Sequence, residues 1–120
     1  MRETLLVVDY RQNLRVLYSH ELREEGYRVL LADNEDEAAN ILESECPDLI
    51  ILDGKLLLVE GTKTIEKCKN ACSNTLIIVN DVDYKSCEKL LRSSPVDGCI
   101  VKSSDLDDLK EKINEIFDNK

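Results

Sequence analysis

The 120-residue chain predicts an α/β domain, an open parallel sheet with helices on both faces. Three observations carry that expectation. Five short apolar runs rich in Leu, Ile and Val recur along the chain, near-continuous as strands covered on both faces require. Between them the apolar residues fall three and four apart, the period of a helix. A length of 120 residues suits one domain with one core.

The first run, Thr4–Val8 (TLLVV), precedes a helical stripe of Leu14, Leu17, Tyr18 and Leu22, which Gly26 brings to a stop. The second, Tyr27–Leu31 (YRVLL), precedes Ala38, Ile41 and Leu42, and Asn34 with Glu37 three residues on is a capping arrangement. The third, Asp48–Leu52 (DLIIL), follows Pro47, placed where a missing N–H is tolerated. Its helical stripe is Ile65, Cys68 and Cys72. The fourth, Thr75–Val79 (TLIIV), leads to Cys87, Leu90 and Leu91. The fifth, Gly98–Val101 (GCIV), follows Pro95 and leads to Leu106, Leu109, Ile113, Ile116 and Phe117, with Ser103 and Ser104 as candidate caps. That makes five strands and five helices, in one domain over residues 1–120 with no linker. The domain is either a complete small protein or a module excised from a longer one.

Composition narrows the function. Sixteen Lys and Arg against twenty-five Asp and Glu give a net charge of −9, which argues against direct nucleic-acid binding. A hydrophobic fraction of 42% is too high for a disordered chain. No run approaches the ~18 apolar residues of a membrane span, and Met1–Tyr10 lacks the apolar core of a signal peptide. The five cysteines are odd in number, form no C-x-x-C pair, and have only His20 as a potential zinc co-ligand. The expectation is therefore a cytoplasmic protein with unpaired thiols, in which Cys68 and Cys72 are small buried hydrophobes.

In open parallel sheets, ligands gather beyond the carboxyl ends of the strands. The residues there are Asp9 and Tyr10 after the first strand, Asp53 after the third, Asn80 and Asp81 after the fourth, and Lys102 after the fifth. Carboxylates facing a lysine make a candidate site for a hard cation or for phosphoryl transfer.

These residues give the chain a close resemblance to the receiver domain of two-component response regulators, the chemotaxis-receiver type. The resemblance runs through LLVVDYRQNLRVLYSHELREEGYRVLLADNEDEAANILESECPDLIILDG, Gly61 and DGCIVKSSDLDDLKEKI. It implies a flavodoxin-like, doubly wound sheet of strand order 2-1-3-4-5. It implies that Asp53 accepts a phosphoryl group from a histidine kinase or phosphotransfer protein. Asp9 and Asp53 would then serve as Mg²⁺ ligands, and Lys102 would contact the phosphoryl oxygens. The implied partner surface is the face of the fourth helix, fifth strand and fifth helix, through which the chain would form a homodimer.

Several positions depart from the family pattern. Tyr10 replaces the second member of the acidic pair, and a neutral phenol is a poor Mg²⁺ ligand, so metal binding should be weak or absent. At the switch positions, Asn80 replaces a Ser or Thr and Cys99 an aromatic, while Asp81 stands where a small residue is usual and Ser103 where a proline is. Lys55, two residues past Asp53, has two readings: its ammonium lies near the vacated metal position, or it points to solvent. These features describe an atypical phosphorelay receiver; the alternative is a phosphorylation-independent interaction module on the same fold. An enzyme is not expected. With four glycines the chain has no G-x-G-x-x-G or Walker-type phosphate loop. Lys55 occupies the place where a haloacid-dehalogenase-type phosphatase needs a second Asp.

Overall fold

The computed structural model describes residues 2–102 and 105–118, apart from the side chains of residues 59 and 60. Strands β1 (Thr4–Val8), β2 (Arg28–Ala32), β3 (Leu49–Asp53), β4 (Leu76–Val82) and β5 (Gly98–Val101) form one sheet of order 2-1-3-4-5. Every neighbouring pair is parallel. The helices are α1 (Gln12–Glu24), α2 (Glu35–Ser44), α3 (Gly54–Glu60), α4 (Lys63–Ala71), α5 (Tyr84–Ser93) and α6 (Leu106–Asp118).

Alternation along each strand divides the core in two. Leu6, Val8, Ile50, Leu52, Ile77 and Val79 face α2, α4 and α5, meeting Ala38, Leu42, Ile65, Cys68, Cys87 and Leu90. Leu5, Val7, Leu49, Ile51, Ile78 and Ile100 face α1 and α6, meeting Leu22, Leu109, Ile113 and Phe117. Both faces of the sheet are covered, as the continuous apolar runs require.

Helix ends follow the local chemistry. The Asn34 side chain accepts from the Glu37 N–H at 2.8 Å, opening α2. Gly26, at φ +97°, closes α1: its N–H donates to the Arg23 carbonyl and the next N–H, of Tyr27, to the Leu22 carbonyl. The expected caps Ser103 and Ser104 lie outside the described residues. Asp105 caps α6, accepting from the Asp108 N–H at 3.1 Å while Asp108 accepts from the Asp105 N–H at 3.3 Å.

Three expectations need correction. The helices described number six where five were expected, because Gly54–Glu60 form α3. Asp53 caps that helix, and Leu56 and Leu57 pack on the core. Leu17 and Leu91 are not core residues, being 44% and 50% exposed. Their helices bury the neighbouring turns instead, through Ser19 and Leu22 in α1 and Cys87 and Leu90 in α5.

The third correction concerns the cysteines, four of which are paired. Cys46 precedes β3 and Cys72 ends α4, so the adjacent starts of β3 and β4 bring their Cα atoms to 5.7 Å, and they form a disulfide. Cys87 on α5 and Cys99 on β5 are joined in the same way, again with Cα atoms 5.7 Å apart. Cys68 is the free, buried thiol, pushed up to about 11 by that burial. In protein purified without reductant, alkylation after denaturation should modify Cys68 alone, and prior reduction should open all five cysteines. Peptide mass mapping reads both states.

Two backbone features shape the carboxyl edge of the sheet. The pairing of β4 with β5 runs Asn80↔Ile100 and then Val82↔Val101, leaving Asp81 as the extra residue of a bulge at φ +67°. Beside it, Gly54 lies against the end of β4, where an added Cβ would fall 2.2 Å from Val82 Cγ1 and 2.9 Å from the Asp81 carbonyl oxygen. Only glycine lets the turn after Asp53 approach so closely. Gly54→Ala should therefore destabilise the fold by about 1–3 kcal/mol, read as a lower urea midpoint.

Candidate functional site

Asp9 and Asp53 sit at the carboxyl ends of the adjacent strands β1 and β3, 2% and 1% exposed. Two carboxylates in so dry a place repel each other and lose hydration, which demands a counter-charge. Arg11, at the entrance to α1, supplies it. Its Nε donates to Asp9 Oδ1 at 3.0 Å and its Nη2 to Asp9 Oδ2 at 2.9 Å, a two-pronged pair. Nη2 also reaches Asp53 Oδ1 at 3.2 Å, and Nη1 reaches Asp81 Oδ2 at 2.9 Å. The Arg11 backbone N–H adds a bond to Asp9 Oδ1 at 2.9 Å, and Arg15 holds the Asp9 carbonyl at 2.8 Å. The bulge at Asp81 turns its side chain toward this cluster.

Asp53 Oδ1 also accepts from the Lys55 N–H at 3.2 Å, whereas Oδ2 is buried with no hydrogen-bond partner. Burial, followed by the Asp9 charge, pushes the Asp53 carboxyl above the usual carboxylate range. The Arg11 guanidinium is held still more firmly protonated, chiefly by its hydrogen bond to Asp9.

The sequence singled out Asp9, Asp53 and Asp81, and the fold brings all three together. Lys102 ends β5, where its N–H donates to the Val82 carbonyl at 2.8 Å. Its ammonium acts on Asp83, and among the described residues no ion pair joins it to Asp9 or Asp53. Of the two readings of Lys55, the ammonium near the acids is not the one found: its backbone reaches Asp53, but no ion pair brings its ammonium to Asp9 or Asp53 among the described residues. The cation beside Asp9 and Asp53 is Arg11, which sequence reasoning missed. Tyr10 is 55% exposed, with its ring centroid 5.7 Å from the Arg11 guanidinium carbon. The switch-position Asn80 donates to the Tyr18 hydroxyl at 3.0 Å, tying β4 to α1. Cys99 is bonded to Cys87, and Ser103 lies outside the described residues.

As arranged, these side chains do not fit a divalent cation. Both Asp9 oxygens and Asp53 Oδ1 are engaged by a guanidinium, and Mg²⁺ demands oxygen ligands in near-octahedral array. Among the described residues no group of three His, Cys, Asp or Glu is disposed to hold a metal. Beside the cluster, Gly54, Lys55, Asp81, Asp83 and Lys102 line part of a cavity of about 260 Å³ between α3 and α5. No described helix is long and apolar enough to cross a membrane.

The raised Asp53 carboxyl has a consequence for stability. A group that binds its proton more tightly folded than unfolded stabilises the fold while protonated, and that contribution is lost as pH rises through the folded value. Asp53→Asn, which keeps the Oδ1 acceptor, should be more stable than the parent at neutral pH. Urea midpoints across pH should show the advantage shrinking as the medium is acidified into the carboxylate range.

Comparison with known proteins adds the family context. Residues 5–114 match the response regulator receiver domain family. Sporulation initiation phosphotransferase F of Bacillus subtilis (strain 168) is 26% identical over 117 residues, 96% of this chain and 94% of that protein. The alkaline phosphatase synthesis transcriptional regulatory protein PhoP of the same organism is 39% identical over 69 residues, 58% of this chain but 28% of that one. A CheY-like response regulator receiver domain protein from Methanospirillum hungatei superposes with a TM-score of 0.84 at 27% identity, over 99% of this chain and 96% of that one. The response regulator TrrA from Thermotoga maritima, solved in complex with Mg²⁺ and BeF, has a TM-score of 0.79 at 33% identity, over 95% and 98% of the two chains.

Proposed function

This chain belongs to the response regulator receiver family and is a two-component receiver domain, and we propose that Asp53 is its phosphoryl acceptor. The observation that supports this reading is the state of the Asp53 carboxylate. It stands at the end of the central strand β3, with Oδ1 held by the Lys55 N–H and Arg11 and Oδ2 free of any hydrogen bond. Oδ2 is thus the nucleophilic oxygen. In the transfer, it bonds to the phosphorus of a phosphohistidine, the P–N bond breaks, and its electron pair stays on the departing imidazole, which takes up a proton. The product is an aspartyl phosphate.

The other residues serve that acceptor. Asp9 anchors Arg11, and Arg11 sets the orientation of Asp53. Lys102 lines the cavity shared with Gly54 and Asp81, and its ammonium would contact the phosphoryl oxygens. The donor is a histidine kinase or phosphotransfer protein. The face of α5, β5 and α6, with Leu91 exposed on α5, is the proposed surface for homodimerisation. The role is signalling rather than metabolic catalysis.

Incubation with acetyl phosphate, or with a phosphorylated histidine kinase, should add one acid-labile phosphoryl group, and borohydride trapping should map it to Asp53. Asp53→Asn should carry none. A parent protein that stays unmodified under both donors would overturn the acceptor reading in favour of a phosphorylation-independent module.

A further inference from the structure

Receiver chemistry concentrates negative charge at one strand edge, and this chain departs from the family there in a coordinated way. The second acid of the pair after β1 is gone, and Tyr10 in its place is 55% exposed. An acid has appeared instead on β4, where the bulge at φ +67° aims Asp81 inward. Between the two strands lies the Arg11 guanidinium. We propose that Arg11 is the resident cation of this pocket and stands in for a divalent metal ion, holding Asp9, Asp53 and Asp81 together whether or not Mg²⁺ is present.

The geometry carries the argument. Guanidinium is planar, always charged, and suited to gripping several carboxylates at once. Arg11 uses Nε and Nη2 on Asp9, Nη2 again on Asp53, and Nη1 on Asp81. All four hydrogen bonds, to three carboxylates, radiate from one group only 20% exposed. A hard cation would need the same Asp9 and Asp53 oxygens, and two cations cannot share them without strong repulsion at so short a distance. The move of a carboxylate from the Tyr10 position to Asp81 fits the change of cation. A metal ion needs oxygens closely packed around a point, whereas a guanidinium presents donors along its edges and takes a partner on its far side.

Tyr10 contributes from outside. Its ring centroid lies 5.7 Å from the guanidinium carbon, close enough for a favourable cation–π contact at the open side of the group. The residue that removed a metal ligand thus covers the replacement cation. The Arg11 side chain makes no cap hydrogen bond to α1, so the group is committed to the acidic cluster.

This inference rests on reading the cluster as a receiver's phosphoryl site, but its test measures metal binding and stability. It can therefore fail while Asp53 is still phosphorylated, and the reverse. The parent protein should show the same melting temperature in EDTA and in millimolar Mg²⁺, with no Mg²⁺-dependent shift of the Tyr10, Asp53 or Lys55 amide resonances. Tyr10→Asp should remain unresponsive while Arg11 is in place. The double variant Tyr10→Asp/Arg11→Gln should gain a melting-temperature rise of several degrees with Mg²⁺ and saturable shifts at those amides. If the double variant is unfolded in EDTA, Mg²⁺ should restore its folded spectrum. Saturable Mg²⁺ binding by the parent, a Tyr10→Asp response as large as that of the double variant, or a double variant indifferent to Mg²⁺ would each overturn the proposal.

Discussion

The electrostatics of this molecule depend on a guanidinium placed over two carboxylates that have almost no water. Asp9 and Asp53 end adjacent strands in a sheet covered on both sides, so the fold itself strips their hydration. Leaving a buried charge without a partner typically costs about 3–5 kcal/mol, a large share of the stability of a small domain. Arg11 offsets that cost with charge-assisted hydrogen bonds to both acids. It does so only in part, since three carboxylates meet one guanidinium. Burial, followed by the Asp9 charge, displaces the Asp53 carboxyl upward.

Two backbone devices make the arrangement possible. The bulge in β4 gives Asp81 a direction that a regular strand would deny it, because alternation would turn the side chain toward one helix layer or the other. Aspartate tolerates the left-handed conformation better than most residues, so the acid and the bulge suit each other. Gly54 then lets α3 begin directly against that bulge, fixing the Lys55 N–H on Asp53 Oδ1. Asp53, the bulge and Arg11 are thus set by neighbouring pieces of backbone.

The sheet was legible in the sequence because its strands are buried on both faces, and burial writes itself as unbroken Leu, Ile and Val. Asp9 and Asp53 were legible because they follow such runs directly. Helix α3 was not, since GKLLLV lacks the three-and-four spacing of an amphipathic helix, and a capping Asp53 was already assigned to chemistry. Arg11 was missed because an arginine near a helix start reads as solvated surface. The available signal was the joint oddity of Tyr10 and Asp81, an acid lost on one strand and gained on another, which calls for a cation between them. Lys55 stands as close to Asp53 in sequence as Arg11 does to Asp9, but among the described residues no ion pair brings its ammonium to either acid. The cysteine pairs were illegible for a related reason: separations of 26 and 12 residues carry no pairing signature until the parallel register sets the strand starts side by side.

Because the cation is part of the chain, the site's response to added charge differs from that of a metal centre. A bound metal can gain ligands or leave, but Arg11 has a fixed number of N–H donors, already shared among Asp9, Asp53 and Asp81. A phosphoryl group carries about −1.5 to −2 charge where a carboxylate carries −1, so on Asp53 it would outcompete Asp81 for that guanidinium. Asp81 is held in its left-handed bulge with the help of Arg11, and the neighbouring Val82 carbonyl accepts the Lys102 N–H. Weakening one ion pair therefore bears directly on the junction of β4 and β5. The same stretch of β4 carries Asn80, bonded to Tyr18 of α1, and β5 carries Cys99, bonded to Cys87 of α5. With Asn80 and Cys99 both tied to helices, the bulge at Asp81 is the piece of backbone that lies between Asp53 and the α5–β5 face.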